Sequence, residues 1–172
     1  MKWFLTGDSL GIASKLVSAG EAVDAGPSYY RDIMMTEEPG DYTLSRYLLK
    51  FTGLDVVVLD GLFELPGYAK KSILPWGGGA RGRCVVGVES TDPVGFHRFQ
   101  TAWRGCIVGL SHIGVYVTSD RETANKASVA RRVVYWEGDV APLITAVTHQ
   151  CQYKPISGVG RIYTTTGQHT SI

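Results

Sequence analysis

The sequence predicts a Rossmann-like α/β fold, with an open, mostly parallel sheet and helices on both faces. Two observations predict it. Short apolar segments typical of buried strands alternate with segments whose apolar residues recur at helical spacing. The run 55–60 (DVVVLD) is apolar throughout its middle, with three β-branched valines, and polar at both ends, as in a parallel strand buried on both faces. Strands that alternate with helices imply right-handed crossovers, and therefore a parallel sheet.

The first half of the chain supplies three predicted strands. Leu10, Ala13, Leu16 and Val17 recur at helical spacing after a turn that Asp8 or Ser9 can cap. The predicted elements are a strand at 2–6, a helix from Leu10 to Gly20, a strand at 21–24, a loop at 25–41, a helix at 43–53, the strand at 55–60 and a helix at 62–72 that Pro66 and Gly67 would interrupt.

The second half continues the alternation. Ser119 and Glu122 have the spacing of a capping box, and Asp139 can begin the last helix. The predicted elements are a loop at 76–82, a strand at 84–88, a helix at 91–105, strands at 106–110 and 115–118, a helix at 119–130, a strand at 132–136, a helix from Asp139, a strand at 161–165 and a loose tail from Gly167.

Composition bounds the class of protein. With 172 residues, 44% hydrophobic and 19% charged, the chain fits one globular domain rather than a disordered segment. A net charge of +1 gives no electrostatic basis for binding nucleic acid or an anionic membrane, and we expect the arginines, Arg131 and Arg132 among them, to solvate an outer face. Neither a signal peptide nor a membrane-spanning run is present in the sequence, so we expect a soluble, cytoplasmic protein.

A ligand site is expected at one edge of the sheet. In open parallel sheets ligands bind beyond the carboxyl ends of the strands, and backbone N–H groups at a helix start can receive a phosphate. The alternative for the glycine-rich turn is a helix cap without a ligand. We expect a nucleotide or phosphosugar and no metal, since the histidines are scattered and no CxxC pair exists. The expected ligand-binding residues are Gly7, Asp8, Ser9, Leu10, Gly11, Asp60, Gly61, Glu89 and Ser90.

The letters GDSL at 7–10 also open a family of ester hydrolases in which the serine is the nucleophile. Ser9 would then need a histidine base held by a carboxylate. That family carries a late DxxH motif, whereas Ala146 precedes His149 and Thr166 precedes His169 at this spacing. The family's GxND block is also missing. Hydrolysis at Ser9 is therefore kept only as an alternative function.

Several segments resemble phosphoribosylamine–glycine ligase. Residues 4–11 (FLTGDSLG) and 18–23 (SAGEAV) resemble its N-terminal, pre-ATP-grasp domain, particularly short divergent versions seen in phages. Residues 55–60 and 83–90 resemble later strands of that domain, and 115–134 resembles the start of its ATP-grasp region. The resemblance implies one Rossmann-like domain over 1–172, in which 111–172 is a degenerate remnant of an ATP-grasp subdomain.

The departures from that family bear on catalysis. After the strand that matches Val133 and Val134, the family carries a lysine for ATP phosphates, and this chain has Tyr135 and Trp136. The family's magnesium ligands would follow where this sequence ends. Because phosphoryl transfer needs positioned cations, we expect a non-catalytic module that binds a small phosphorylated molecule or a protein partner. An assembly protein that acts through self-association, as in a phage, is the main alternative.

Overall fold

The computed structural model describes residues 1–24, 48, 51–61, 76, 82–89, 113–129, 131–153 and 160–170. The strands in this part of the chain are β1 Lys2–Leu5, β2 Ala22–Val23, β3 Val56–Leu59, β4 Cys84–Val88, β5 Val115–Thr118, β6 Arg132–Tyr135, β7 Arg161–Thr164 and β8 Gly167–Thr170. The helices there are α1 Ile12–Ser18, α2 Arg121–Ala127 and α3 Ala141–Tyr153.

The strands form one sheet in the order β2-β1-β3-β4-β5-β6-β7-β8. Every neighbouring pair from β2 to β7 is parallel, and only β8 runs antiparallel to its neighbour β7. From β1 the chain passes to β2 on one side and then to β3 on the other, so the direction of winding reverses between β1 and β3. This is the flavodoxin-like order, in which the ligand crevice lies at the β1/β3 switch point.

Two apolar layers cover the faces of the sheet. On one face, α1 and α3 bury side chains such as Leu16 and Leu143 against Trp3 and Val58. On the other face, Ala124 of α2 belongs to a core cluster with residues such as Val57. The predicted Rossmann-like sheet with helices on both faces is therefore confirmed. The buried strands β3, β4 and β5 match the predicted apolar runs.

The start of α1 differs from the sequence prediction. The helix begins at Ile12 after Gly11, whose φ of 66° is left-handed. Asp8 still helps to cap it, because its Oδ1 accepts a hydrogen bond from the Ala13 amide at 3.0 Å. Val17 belongs to the apolar spacing that predicted the helix but is 59% exposed, because Ile12 and Leu16 supply the buried side of this short helix.

The N-cap of α2 is Asp120, one residue after the predicted Ser119. Asp120 accepts a hydrogen bond from the Thr123 amide at 3.1 Å and from the Thr123 hydroxyl at 2.5 Å. Its own amide donates to Thr118 Oγ1 at 3.1 Å. The helix is thereby fixed directly behind the end of β5.

The tail from Gly167, predicted to be loose, forms strand β8. A turn at Thr165 and Thr166 reverses the chain, and Thr164 Oγ1 donates to the Gly167 carbonyl at 2.7 Å. Gly167 has a φ of 132°, a backbone conformation that residues other than glycine rarely adopt. The polar composition hid this strand, because an edge strand gains its pairing through the backbone and needs no apolar run.

Some side chains are more buried than the sequence predicted. Arg131 and Arg132, expected on an outer face, are each only 7% exposed. Trp76, expected at the start of a loop, is helical and 4% exposed. Arg83 Nη1 donates to the Trp76 carbonyl at 3.0 Å, and its guanidinium lies 5.1 Å from the centre of the indole ring. Arg83, which is half-buried, thus contacts both the backbone and the ring of Trp76.

Other predicted elements lie outside the described residues: the loop at 25–41, the helices at 62–72 and 91–105, the strand at 106–110, and most of the helix at 43–53 and of the loop at 76–82. Strands before and after residue 111 belong to the same sheet. Within the described ranges, no helix is long and apolar enough to cross a membrane.

Candidate functional site

The β1/β3 switch point brings together two of the segments that the sequence placed on one rim. Residues 6–9 follow β1 directly, and Asp60 and Gly61 follow β3. Because β1 and β3 are parallel neighbours, both segments leave the same edge of the sheet. The switch point is where an open α/β sheet offers its ligand crevice.

A hydrogen-bonded pair joins the two segments. Ser9 Oγ donates to Asp60 Oδ1 at 2.7 Å, and the Ser9 amide donates to Asp60 Oδ2 at 3.2 Å. Asp60 is 5% exposed, whereas Ser9 is exposed. The pair therefore couples a buried carboxylate to a hydroxyl at the protein surface.

Thr6 and Gly7 hold Asp60 in this position. Thr6 Oγ1 accepts from the Asp60 amide at 3.0 Å and donates to the Val58 carbonyl at 3.1 Å. A Cβ atom on Gly7 would lie 2.8 Å from Asp60 Oδ2, closer than real Cβ contacts come. Glycine is thus needed at position 7 to admit the carboxylate.

This geometry decides what the surface offers to a ligand. Because the Ser9 hydroxyl gives its proton to Asp60, the oxygen can only accept a hydrogen bond from solvent or a ligand. Asp8 is exposed, and its ionised carboxylate also only accepts. The outer surface at residues 8 and 9 therefore suits a ligand that presents hydroxyl or amino protons.

Three backbone amides near the start of α1, where a phosphate was expected, already have acceptors. Asp60 holds the Ser9 amide and Asp8 holds the Ala13 amide. The Gly11 amide donates to the Asp8 carbonyl at 3.2 Å. A phosphate at the start of α1 would have to replace these bonds and lie beside two carboxylates.

The remaining predicted residues take different places. Leu10 is half-buried against the core, and Gly11 forms the left-handed turn before α1. Gly61 is buried with a φ of 61°. Glu89 lies at the end of β4, and Ser90 lies outside the described residues.

Glu89 belongs to a second polar group, at the ends of β4 and β5. Its buried carboxylate accepts a hydrogen bond from Thr118 Oγ1, and its amide donates to the Val117 carbonyl at 2.9 Å. Burial, together with the negative charges of Glu89 and Asp120, raises the pKa of the fully buried Tyr116 phenol. Tyr116 therefore stays protonated at neutral pH.

Sequence reasoning did not single out Thr6 or Thr118, although both support rim carboxylates. Each threonine ends or follows an apolar strand, and each hydroxyl bonds a group on the neighbouring segment. Their position at the end of an apolar strand was a usable signal, because a threonine there fits the sheet through its β-branched side chain and can also hydrogen-bond.

A shallow groove lies farther along the same edge of the sheet. It has a volume of about 280 Å³ and lies between the start of α3 and the β7–β8 turn. Its lining includes Asp139, Thr145, Tyr163 and the threonines of the turn. Five of its nine lining residues carry hydroxyl groups, so it is a rival location for a polar ligand.

The surroundings of Ser9 differ from those of a nucleophilic serine. Its hydroxyl bonds a carboxylate directly, whereas nucleophile activation by a triad uses an imidazole. His149 contacts the Tyr163 hydroxyl at 3.0 Å, and four strands separate β7 from β1. Among the described residues, no group of three or more histidine, cysteine or carboxylate side chains is placed to hold a metal ion.

We compared the chain with protein-family models, curated proteins and solved structures, and none of the three comparisons gave a match. The resemblance to phosphoribosylamine–glycine ligase thus rests on the sequence segments quoted above.

Proposed function

We propose that this chain is a non-catalytic Rossmann-like module that binds a small ligand at the β1/β3 switch point. The ligand is a hydroxyl-bearing phosphorylated molecule, of the nucleotide or phosphosugar class. Its sugar hydroxyls donate to the Asp8 carboxylate and to the Ser9 oxygen. The observation that carries the proposal is the Ser9–Asp60 hydrogen bond of 2.7 Å at this point of the sheet.

The chemistry of the pair favours binding over catalysis. A carboxylate that fixes a serine proton orients the serine oxygen as an acceptor, and carboxylates at the ends of Rossmann strands accept ribose hydroxyls in the same way. Ester hydrolysis would instead require a base that takes the serine proton and returns it to the leaving group. Asp60 is suited to the first role, because it is buried and bonded to both the amide and the hydroxyl of Ser9.

Two carboxylates at the turn bear on the position of the ligand's phosphate. The amides of Ser9 and Ala13 are already bound to carboxylates, whose charge repels a phosphate. The hydroxyls of the ligand, rather than its phosphate, therefore contact residues 8 and 9. This orientation predicts that a nucleoside or free sugar retains part of the affinity of its phosphorylated form.

The test is a thermal-shift comparison of nucleosides, nucleotides, free sugars, phosphosugars and inorganic phosphate. We expect a nucleotide or phosphosugar to raise the melting temperature, its unphosphorylated form to do so less, and phosphate alone not to act at this site. Ser9→Ala should weaken binding about tenfold or more, the loss of roughly one hydrogen bond to a polar group. Ser14→Ala is the matched control, since Ser14 is in α1 and bonds only the Gly11 carbonyl.

The outcomes separate the alternatives. If Thr166→Ala removes the shift while Ser9→Ala does not, the ligand lies in the groove beside α3. If no compound shifts the melting temperature and light scattering shows a defined oligomer, self-association replaces ligand binding. Turnover of a chromogenic ester that is lost in Ser9→Ala would establish hydrolysis instead.

A further inference from the structure

The groove beside α3 lies at the carboxyl ends of β6 and β7, since α3 follows β6 and the β7–β8 turn follows β7. Its volume of about 280 Å³ is close to the lower end of the range for small-molecule sites, about 300 Å³. Which molecule fits depends on the hydrogen-bonding capacity that the hydroxyl groups in its lining leave unused. The lining hydroxyls belong to Thr145, Tyr163, Thr164, Thr165 and Thr166.

Thr145, on the α3 side of the groove, offers its oxygen only as an acceptor. Its Oγ1 donates to the Ala141 carbonyl at 3.1 Å. Because a hydroxyl has one proton and two lone pairs, only accepting capacity remains. Thr145 is exposed, so a ligand in the groove can reach that capacity.

The hydroxyls of the turn use their protons in the same way. Thr164 Oγ1 donates to the Gly167 carbonyl at 2.7 Å, because a carbonyl can only accept. The bond of 3.1 Å between the hydroxyls of Thr164 and Thr166 therefore takes its proton from Thr166. Thr165 Oγ1 donates to Glu137 Oε1 at 3.3 Å. The exposed Thr165 and Thr166 thus have lone pairs, and no protons, left for a ligand.

The fifth hydroxyl, on Tyr163, already has a partner. It lies 3.0 Å from His149 Nδ1, and Tyr163 is only 1% exposed. The groove therefore presents acceptors at its exposed hydroxyls on both sides.

The charged side chains at this end of α3 also favour a cation. Asp139 lines the groove and is exposed, and Glu137 is exposed on the same loop. Lys15 brings one positive charge to the loop, but its ammonium donates to the Gly138 carbonyl at 2.7 Å and lies 4.9 Å from the centre of the Trp136 ring. Lys15 is not part of the lining. These side chains together attract a cation more than an anion.

The start of α3 does not convert the groove into an anion site. A helix amino terminus attracts anions through its dipole and its free N–H groups. Here Asp139 Oδ1 accepts from the Ala141 amide at 3.0 Å, and Pro142 has no N–H. The Asp139 carboxylate already occupies the position that the dipole favours. A phosphate would have to lie beside that carboxylate and against oxygen atoms that only accept.

We propose that this groove binds a small molecule through a primary ammonium group. An ammonium group donates three hydrogen bonds and accepts none. It therefore complements the acceptors of Thr145, Thr166 and Asp139. A carboxylate or phosphate brings further acceptors, and a neutral hydroxyl compound gains nothing from the charge of Asp139. The site is independent of the ligand proposed at the β1/β3 switch point.

The test compares 1,4-diaminobutane, 1,4-butanediol and succinate, which share a four-carbon chain and differ in charge, at constant ionic strength set by sodium chloride. The diamine should raise the melting temperature most, because a ligand that binds only the folded state stabilises it. In NMR spectra it should shift the backbone amide signals of Thr145 and Gly167, which line the groove. The amide signals of Gly7 and Gly11, at the switch point, should not move.

Two substitutions test the acceptors. Asp139→Asn should weaken binding of the diamine about tenfold or more, the effect of losing a charged acceptor, while asparagine can still cap the helix. Thr145→Val keeps the shape of the side chain and should weaken binding about threefold or more. Thr148→Val is the matched control, because Thr148 donates in the same way to the Ile144 carbonyl at 2.8 Å but does not line the groove.

The contrary outcomes are equally specific. A response to the diol or to succinate as large as the response to the diamine would overturn the inference. So would unchanged affinity for the diamine in both Asp139→Asn and Thr145→Val, or amide shifts at Gly7 and Gly11 in place of those at Thr145 and Gly167. If one of the two variants does not fold, the other and the NMR signals of the parent protein decide.

Discussion

Ser9 and Asp60 are joined across the β1/β3 switch point by a hydrogen bond of 2.7 Å between Ser9 Oγ and Asp60 Oδ1. The bond links the segments that follow the two strands between which the sheet reverses its winding. It also fixes the hydrogen-bonding character of the exposed surface, since the serine proton points inward. The proposed ligand chemistry depends on this arrangement.

Removal of the Ser9 hydroxyl should destabilise the fold. Ser9→Ala leaves the buried Asp60 carboxylate with one bond fewer, and we expect the free energy of unfolding to fall by about 1–3 kcal/mol. Ser14→Ala, at an exposed serine of α1, should change it by no more than about 0.5 kcal/mol. Urea denaturation of the two variants measures the difference. Equal stabilities would show that Asp60 does not depend on Ser9.

A methyl group at position 7 should separate Ser9 from Asp60. Gly7→Ala would place Cβ against Asp60 Oδ2, and such overpacking costs about 1–3 kcal/mol. Gly20→Ala is the control, because its φ is 87° but open space surrounds it, so only backbone strain of about 1–2 kcal/mol results. Ligand-induced shifts in melting temperature should be lost in the first variant and retained in the second. Retention in both would contradict the close contact.

The cap of α2 can be tested at adjacent positions. Asp120→Ala removes the acceptor for the Thr123 amide, and loss of such a cap costs about 0.5–2 kcal/mol. Ser119 is exposed and precedes the cap, so Ser119→Ala should have little effect. Chemical denaturation measures the stability of both variants. If Ser119→Ala were the more destabilising substitution, Asp120 would not be the N-cap of α2.

His149 should make stability fall in mildly acidic solution. Its pKa in the folded protein lies below the ordinary value of 6.5, chiefly because of burial. The unfolded chain then binds more protons, so the contribution is fully present above pH 6.5 and is lost as pH falls through the folded pKa. Melting curves from pH 8 to pH 5 should fall less steeply for His149→Gln than for the parent. Parallel curves would show that His149 is not responsible.

Most of the described strands could be predicted from the sequence, because a strand buried on both faces appears as a run of consecutive apolar residues. The run around Val57 and the run at 84–88 contain too many apolar residues for any exposed face. Strand β8 could not be predicted in this way. Its pairing with β7 depends on backbone bonds and on the conformation at Gly167, neither of which leaves an apolar pattern.

The candidate site was predicted only as a set of residues along one edge. The order of elements placed Ser9, Asp60 and Glu89 at the carboxyl ends of strands. Which of them would meet depended on strand order, and the structure pairs Ser9 with Asp60 but Glu89 with Thr118. The phosphate expected at the amides of residues 7–11 could not be judged from the sequence, because the carboxylate partners of the Ser9 and Ala13 amides are seen only in the structure.

The sequence by itself determined a parallel α/β sheet. The spacing of its apolar residues indicates which segments are buried strands and which are helices, and their alternation implies parallel strands. Tertiary structure alone decided the chemistry of the edges: Ser9 and Asp60 meet although 51 positions separate them, and Arg132 is buried beside Arg161. The physical reason is that the partner of a polar group depends on which strands become neighbours and in what register. Local pattern specifies burial but leaves that choice to the assembled sheet.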